Sequence, residues 1–206
     1  MTTYKCIFSV LLIFTFYRLD ARNEQYEYIL NNKDTVIKDV RLYGGLLHQH
    51  QDFLNKAFSY QGIEAGVVLN HKLLLGIFGG TFISNLNVNV AGNSLYMNIW
   101  KSGLVVGNVF RESKILHTGW LFNIGYFSLE HDNSNFELFN PQKSSAKING
   151  LILMPELYAE LNFAKWMKFR TGLAYSLYSF ENQTLIKKKD LQNVSLNFGF
   201  IFGKFE

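Results

Sequence analysis

Period-two alternation of apolar and polar residues, polar connections that run alternately long and short, and a ring-rich, proline-poor composition predict an all-β fold. The specific expectation is one eight-stranded antiparallel up-and-down transmembrane β-barrel. The chain has 206 residues, among them 19 Phe, 11 Tyr, 3 Trp and only 2 Pro. Aromatic residues favour strands, and proline is kept out of sheet interiors. Charged residues make up 17%, below the ~25% of soluble domains. A net charge of +4 is too small and too dispersed to predict a nucleic-acid partner. This length suits one domain with a sizeable core.

The N-terminus has the form of a secretory signal. Lys5 precedes the apolar residues 6–17 (CIFSVLLIFTFY), and Arg18 and Asp20 interrupt the run. It is shorter than the ~20 residues of a spanning helix; the alternative is a buried N-terminal helix. Cleavage after Ala21 divides the chain into a signal peptide (1–21), a polar lead-in (22–38, RNEQYEYILNNKDTVIK) and a barrel domain (39–206). The mature chain keeps 18 of the 20 basic and 15 of the 16 acidic residues and loses Cys6, the single cysteine. No intrachain disulfide or thiolate metal site is therefore expected. No later segment reaches 18 consecutive apolar residues, which argues against helical spans.

Eight segments carry strand patterning: 39–50, 60–70, 72–84, 95–110, 115–129, 148–163, 168–180 and 192–205. The connections at 51–59, 85–94, 130–147 and 181–191 are long and polar. Those at Asn70-His71-Lys72, Arg111-Glu112-Ser113-Lys114 and Ala164 to Met167 are short. Membrane barrels have short turns on the periplasmic side and longer loops outside, and an even strand count returns both termini to one side.

The faces alternate in step. In the last segment Val194, Leu196, Phe198, Phe200 and Phe202 oppose Ser195, Asn197, Gly199 and Gly203. In the seventh, Phe169, Leu173, Tyr175 and Leu177 oppose Lys168, Arg170, Gly172 and Ser176. In the sixth, Leu151, Leu153, Leu157, Ala159 and Leu161 oppose Glu156, Tyr158, Glu160 and Asn162. In the second, Ile63, Ala65, Val67 and Leu69 oppose Glu64 and Asn70. The third (LLLGIFGGTFIS) is apolar on both faces and stays unoriented. A closed barrel in lipid leaves no unpaired edge, which favours apolar faces outward. Rings near segment ends (Tyr43, Tyr60, Tyr96, Trp120, Trp166 and Tyr178) are candidates for interfacial girdles.

The stretch PELYAELNFAKWMKFRTGLAYS (155–176) and the ending LNFGFIFGKF (196–205) resemble the C-terminal hairpins of small outer-membrane β-barrel proteins of the Bacteroidota type. The shared pattern is a proline-acid strand, a turn with tryptophan, a basic strand with glycine and tyrosine, and a terminal glycine-lysine-phenylalanine. The resemblance covers about the last quarter of the chain, implies the barrel architecture and carries no activity. Glu206 after Phe205 departs from it, since such barrels more often end on the aromatic residue read by the insertion machinery.

Four groups of residues are candidates for chemistry or binding. A three-residue turn at 164–166 sets Glu160 across from Arg170, Asn162 across from Lys168 and Tyr158 over Gly172. Glu156, Glu160, Arg170 and Lys168 then form a charge network inside the barrel, structural or a narrow proton or ion path. His131, Ser134 and Glu137 (in HDNSNFE) have the residue types of a hydrolase, and lipid A deacylases carry a similar His-x-Ser-Asn motif on eight-stranded barrels. The extra residue here turns serine away from histidine on a strand. His48 and His50 share one face of the first strand and are candidate metal ligands lacking an evident third. Lys187, Lys188 and Lys189 in the last long connection are candidates for binding phosphates of lipopolysaccharide or an acidic partner. His71 and His117 are isolated and read as ordinary turn and strand residues.

The expected function is a non-enzymatic outer-membrane barrel of a Gram-negative envelope, with a structural or surface-interaction role through its outer loops. The alternatives are a lipid A deacylase-like hydrolase and a soluble lipocalin-like barrel. No cofactor is expected. The expected partners are outer-membrane lipid and lipopolysaccharide, the barrel-assembly machinery, and a surface or periplasmic protein.

Overall fold

A computed structural model describes residues 39–53, 56–82, 86–90, 93–132, 146–181 and 188–205. Among the described residues ten strands are present: β1 (Val40–Phe53), β2 (Lys56–Leu69), β3 (Leu73–Phe82), β4 (Leu86–Val90), β5 (Asn93–Phe110), β6 (Leu116–Asp132), β7 (Ala146–Ala164), β8 (Met167–Tyr175), β9 (Leu177–Ser179) and β10 (Val194–Gly203). A short helix, α1 (Lys188–Leu191), precedes β10.

All pairings are antiparallel, and the sheet closes. β1 pairs with both β2 and β10, and the β3–β5 ladder joins the remaining strands. The wall has eight positions because two are interrupted. β4 continues β3 along β5, and β9 continues β8 along β7. The second interruption falls at Pro155, which has no N–H for the ladder; Ser176 N–H instead donates to Asn193 O at 2.9 Å.

Three tight turns join strands at one end. Asn70 and His71 both adopt positive φ (50° and 60°), a conformation Asn and His tolerate better than most residues, and Lys72 N–H donates to Leu69 O at 3.0 Å. Arg111 also has positive φ, at the start of the turn before β6. The last turn has two residues, Lys165 and Trp166, because Phe163 forms a bulge. That bulge replaces the expected three-residue turn yet preserves the register, with Glu160 across from Arg170, Asn162 from Lys168 and Tyr158 from Gly172.

At the other end the expected loops 51–59 and 85–94 are corrected. β1 and β2 stay paired out to Phe53 and Lys56, and β4 pairs with β5 out to Val90 and Asn93. Only 54–55 and 91–92 lie between those paired strands. Residues 51–59 look like a loop in sequence because outward residues there are polar, Asp52 and Ser59 among them.

Large apolar side chains point outward over most of the wall, Leu42, Leu46, Ile63, Ile77, Leu104, Leu157 and Leu173 among them. The third segment, unoriented in sequence, turns Leu74 and Phe82 inward and Leu75 and Ile77 outward. Of the candidate girdle rings, Tyr43, Tyr60 and Tyr178 are corrected, for they lie buried inside the barrel. They are needed there because a narrow barrel brings glycines together. Tyr158 pairs with Gly119 on one side and Gly172 on the other, and a Cβ on Gly119 would come 2.3 Å from its hydroxyl. The ring occupies the volume that the glycines leave empty.

Candidate functional site

The inward side chains form two layers. Near the tight-turn end lies a charged layer drawn from β1, β2, β6, β7, β8 and the 111–115 turn. Arg170 donates from Nε to Glu160 Oε1 at 2.7 Å and from Nη1 to Glu64 Oε1 at 3.1 Å, and its guanidinium lies 4.7 Å from the centre of the Tyr158 ring. The second oxygen of Glu160 is 2.8 Å from His117 Nε2 and 3.6 Å from Lys168 Nζ. Lys168 donates to Glu112 Oε1 at 2.9 Å and sits 4.1 Å from the centre of the Phe205 ring. Glu64, Glu112, His117, Glu160, Lys168 and Arg170 are all buried, so each charge is held by partners and not by water.

The layer continues into the tight-turn mouth. Glu112 Oε2 is 3.0 Å from His71 Nδ1, and Arg41 is 2.6 Å from Asp39 Oδ2 and 3.0 Å from His71 Nε2. Arg41 also donates to the carbonyl of Phe205. The first strand, two turns and the chain end are thus tied at one place.

Near the long-connection end the interior is apolar. Phe58, Phe82, Ile99, Phe127, Leu129 and Ile148 are buried in one cluster, and Leu191 of α1 packs into it. Lys101 is buried among them at 1% exposure. It donates to Gln49 Oε1 at 3.3 Å and lies over the rings of Tyr60 and Tyr178. Gln49 passes the link to Ser195 Oγ at 2.7 Å. Among the described residues no carboxylate is in ion-pair reach of Lys101.

The structure brings Glu160, Arg170 and Lys168 together. Glu156 is buried on the same inward face, forms no ion pair among the described residues, and accepts from Asn197 Nδ2 at 2.7 Å. His117 and His71 are corrected: both sit on carboxylates of the charged layer and are not isolated. Glu64 joins them on the inward face that its alternation implied, and Glu112, His117, Arg41 and Lys101 belong to the interior although the sequence did not place them there. Strand parity was the available signal for Glu64, which alternates with Ile63 and Ala65. None existed for Glu112, which reaches inward from a turn.

His48 and His50 point outward on β1. The His48 ring lies 4.7 Å from the Phe198 ring, and His50 Nδ1 is 3.3 Å from Ser59 Oγ. Among the described residues no group of three or more ligating side chains is placed to hold a metal. The side chains of His131, Ser134 and Glu137 lie outside the described residues, as does Lys187. Lys188 and Lys189 lie on α1, with Lys189 exposed.

Eight antiparallel strands closed on a filled interior, with large apolar side chains turned outward, define the smallest class of transmembrane-type β-barrels. Among the described residues no helix is long and apolar enough to cross a membrane. Solved structures with this architecture are similar to the chain. Neisserial surface protein A matches with a TM-score of 0.57 and 9% identity over 79% of this chain and 96% of that one. The N-terminal β-barrel domain of Pseudomonas aeruginosa OprF (TM-score 0.55, 11% identity, 79% and 96%) and the outer membrane protein OprG of the same organism (0.55, 11%, 80% and 95%) match comparably. At such identities the likeness shows the fold alone. No family model matches the chain, and no curated protein matches it in sequence.

Proposed function

We propose that this protein is a non-enzymatic barrel of a Gram-negative outer membrane, inserted after removal of residues 1–21, with an envelope-structural or surface-interaction role. The observation that carries this reading is the outward apolar belt on a closed barrel, from Val40, Leu42 and Leu46 on β1 to Phe198, Phe200 and Phe202 on β10. Such a surface is costly in water and matched to lipid, where every backbone group must be paired within the wall. A lipocalin-like barrel requires the opposite arrangement along its whole wall. The tight turns and both ends of the barrel then face the periplasm, and the long connections face outside. The C-terminal likeness to Bacteroidota-type barrels supports that source. Neisserial surface protein A, by its name a surface protein, supports the exposed role.

The interior supports a closed barrel instead of a pore, since eight strands enclose just enough room for side chains. The tests are membrane fractionation and gel mobility of unheated and boiled samples. The expected result is recovery in the outer membrane with a boiling-dependent mobility shift. A soluble protein with one mobility overturns the proposal.

A further inference from the structure

The outward surface changes character in steps across β3, β5, β6 and β7. Ladder partners make rows along the hydrogen-bonding direction. Ile77, Leu104, Ile124 and Leu153 form an apolar row. The next row toward the long-connection end is Gly79, Ser102, Tyr126 and Leu151, and the following one is Thr81, Trp100, Ser128 and Asn149. Beyond it come Asn98, Glu130 and Lys147. Trp100 and Tyr126 are 54% and 48% exposed, so two ring systems stand on the surface amid hydroxyls and amides.

The chemistry of this patch is specific. Glu130 and Lys147 neutralise one another at 2.6 Å, so the patch offers no net charge to a phosphate or an acidic protein. Asn98 Oδ1 already accepts from Thr81 Oγ1 at 3.0 Å, which aims the amide's two N–H donors away from that bond. Gly79, a diagonal neighbour of Trp100, has no side chain, and a Cβ there would meet nothing closer than 3.8 Å. It leaves an open notch in the outer surface at that ladder position. Aromatic faces with neutral donors and acceptors fit a pyranose. Its C–H face stacks on the negative face of the rings and its hydroxyls exchange hydrogen bonds with amide and hydroxyl groups. The patch begins where the apolar belt ends, at the depth of a head group.

We infer that the Trp100 patch docks the head-group saccharide of an outer-leaflet glycolipid. This rests on the membrane placement proposed above. The test uses the full chain refolded in detergent micelles, with a fluorescently labelled core oligosaccharide of lipopolysaccharide, freed of its acyl chains and phosphates, as the anisotropy probe. Wild-type protein is expected to bind, and Trp100→Ala to bind about tenfold more weakly, the loss of one aromatic contact. Trp166→Ala, at the opposite rim, is expected to bind as wild type.

The boiling-dependent gel shift checks that each variant is folded. Should Trp100→Ala misfold, Gly79→Leu serves instead, filling the notch while keeping the ring; it is expected to weaken binding. Folded wild type that ignores the oligosaccharide, or a folded Trp100→Ala or Gly79→Leu that binds as wild type, overturns the inference. Equal weakening by Trp166→Ala does so too. Failure of the membrane placement is separately visible, as recovery of the protein in the soluble fraction.

Discussion

Strand β7 carries two opposite hydrophobic patterns. Between 155 and 161 it turns Leu157 and Leu161 outward and Glu156, Tyr158 and Glu160 inward, whereas between 147 and 149 it turns Lys147 and Asn149 outward and Ile148 inward. β5 and β6 reverse in the same way, from outward Leu104 and Ile124 to outward Asn98 and Glu130, with inward Ile99 and Leu129 buried. The wall is continuous through the change, so the backbone does not cause it. The membrane placement proposed above assigns it to the surrounding medium. On that placement the exterior of the belt must match lipid, which leaves the charged groups inside, beside the apolar cluster of Val68, Leu74, Val105, Leu121 and Ile201. Beyond the belt the exterior meets water, and the interior becomes an ordinary apolar core. Among the described residues the height of the wall differs around the barrel, since β5, β6 and β7 have 18, 17 and 19 residues against 14 in β1 and β2 and 10 in β10, and β9 adds three to the nine of β8. The extension is therefore one-sided.

This comparison can be broken or sharpened by substitution, with stability read from urea titrations of refolded protein and folding from unheated gel mobility. The largest effect is expected in the charged layer. Arg170→Met strips Glu64 and Glu160 of their shared cation, and loss of about 3–5 kcal/mol is expected. A change below about 1 kcal/mol would mean that water reaches those carboxylates and that the layer is not dry.

The apolar core of the extension comes next. Phe127 is fully buried, with its ring edge-on to Tyr178 at 4.8 Å, and Phe127→Ala is expected to cost about 3 kcal/mol. Little change would show that the extension is not a packed core.

A paired test on β7 addresses the reversal itself. Leu157→Arg places a charge in the belt and is expected to cost about 2 kcal/mol or more, while Asn149→Arg beyond it stays within about 0.5 kcal/mol. Equal effects at both positions would remove the distinction between the two regions.

Lys101 gives the smallest effect. It is a buried cation with one hydrogen bond and two rings for company, so Lys101→Met, which conserves volume and removes the desolvation cost, is expected to be neutral or stabilising within about 1 kcal/mol. A large loss would make the link through Gln49 to Ser195 a structural necessity.

Much of the belt was legible in the primary structure because a wall with one apolar outward face follows a simple period-two rule. Alternation at 151–161, 169–177 and 194–202 reports one outward apolar face, and the short turns report strand order. The register of Glu160 and Arg170 follows from the few residues between them, and the bulge at Phe163 leaves it unchanged. The extension was illegible for the same reason reversed. Residues 51–59 turn Asp52 and Ser59 outward, and 85–94 are polar in sequence; a strand of that kind has the composition of a loop.

The sequence by itself thus determined the eight wall positions, the antiparallel order and the outward face of the belt, because these depend on local alternation and on neighbours in the chain. Only the tertiary structure decided which inward groups meet. Glu64 reaches Arg170 across 106 positions of sequence, and Glu112 reaches Lys168 across 56. It also turned Tyr43, Tyr60 and Tyr178 inward, and it carried β5, β6 and β7 beyond the belt. Closure of the sheet brings distant strands within side-chain reach, and no local pattern records which residues will then lie at the same height.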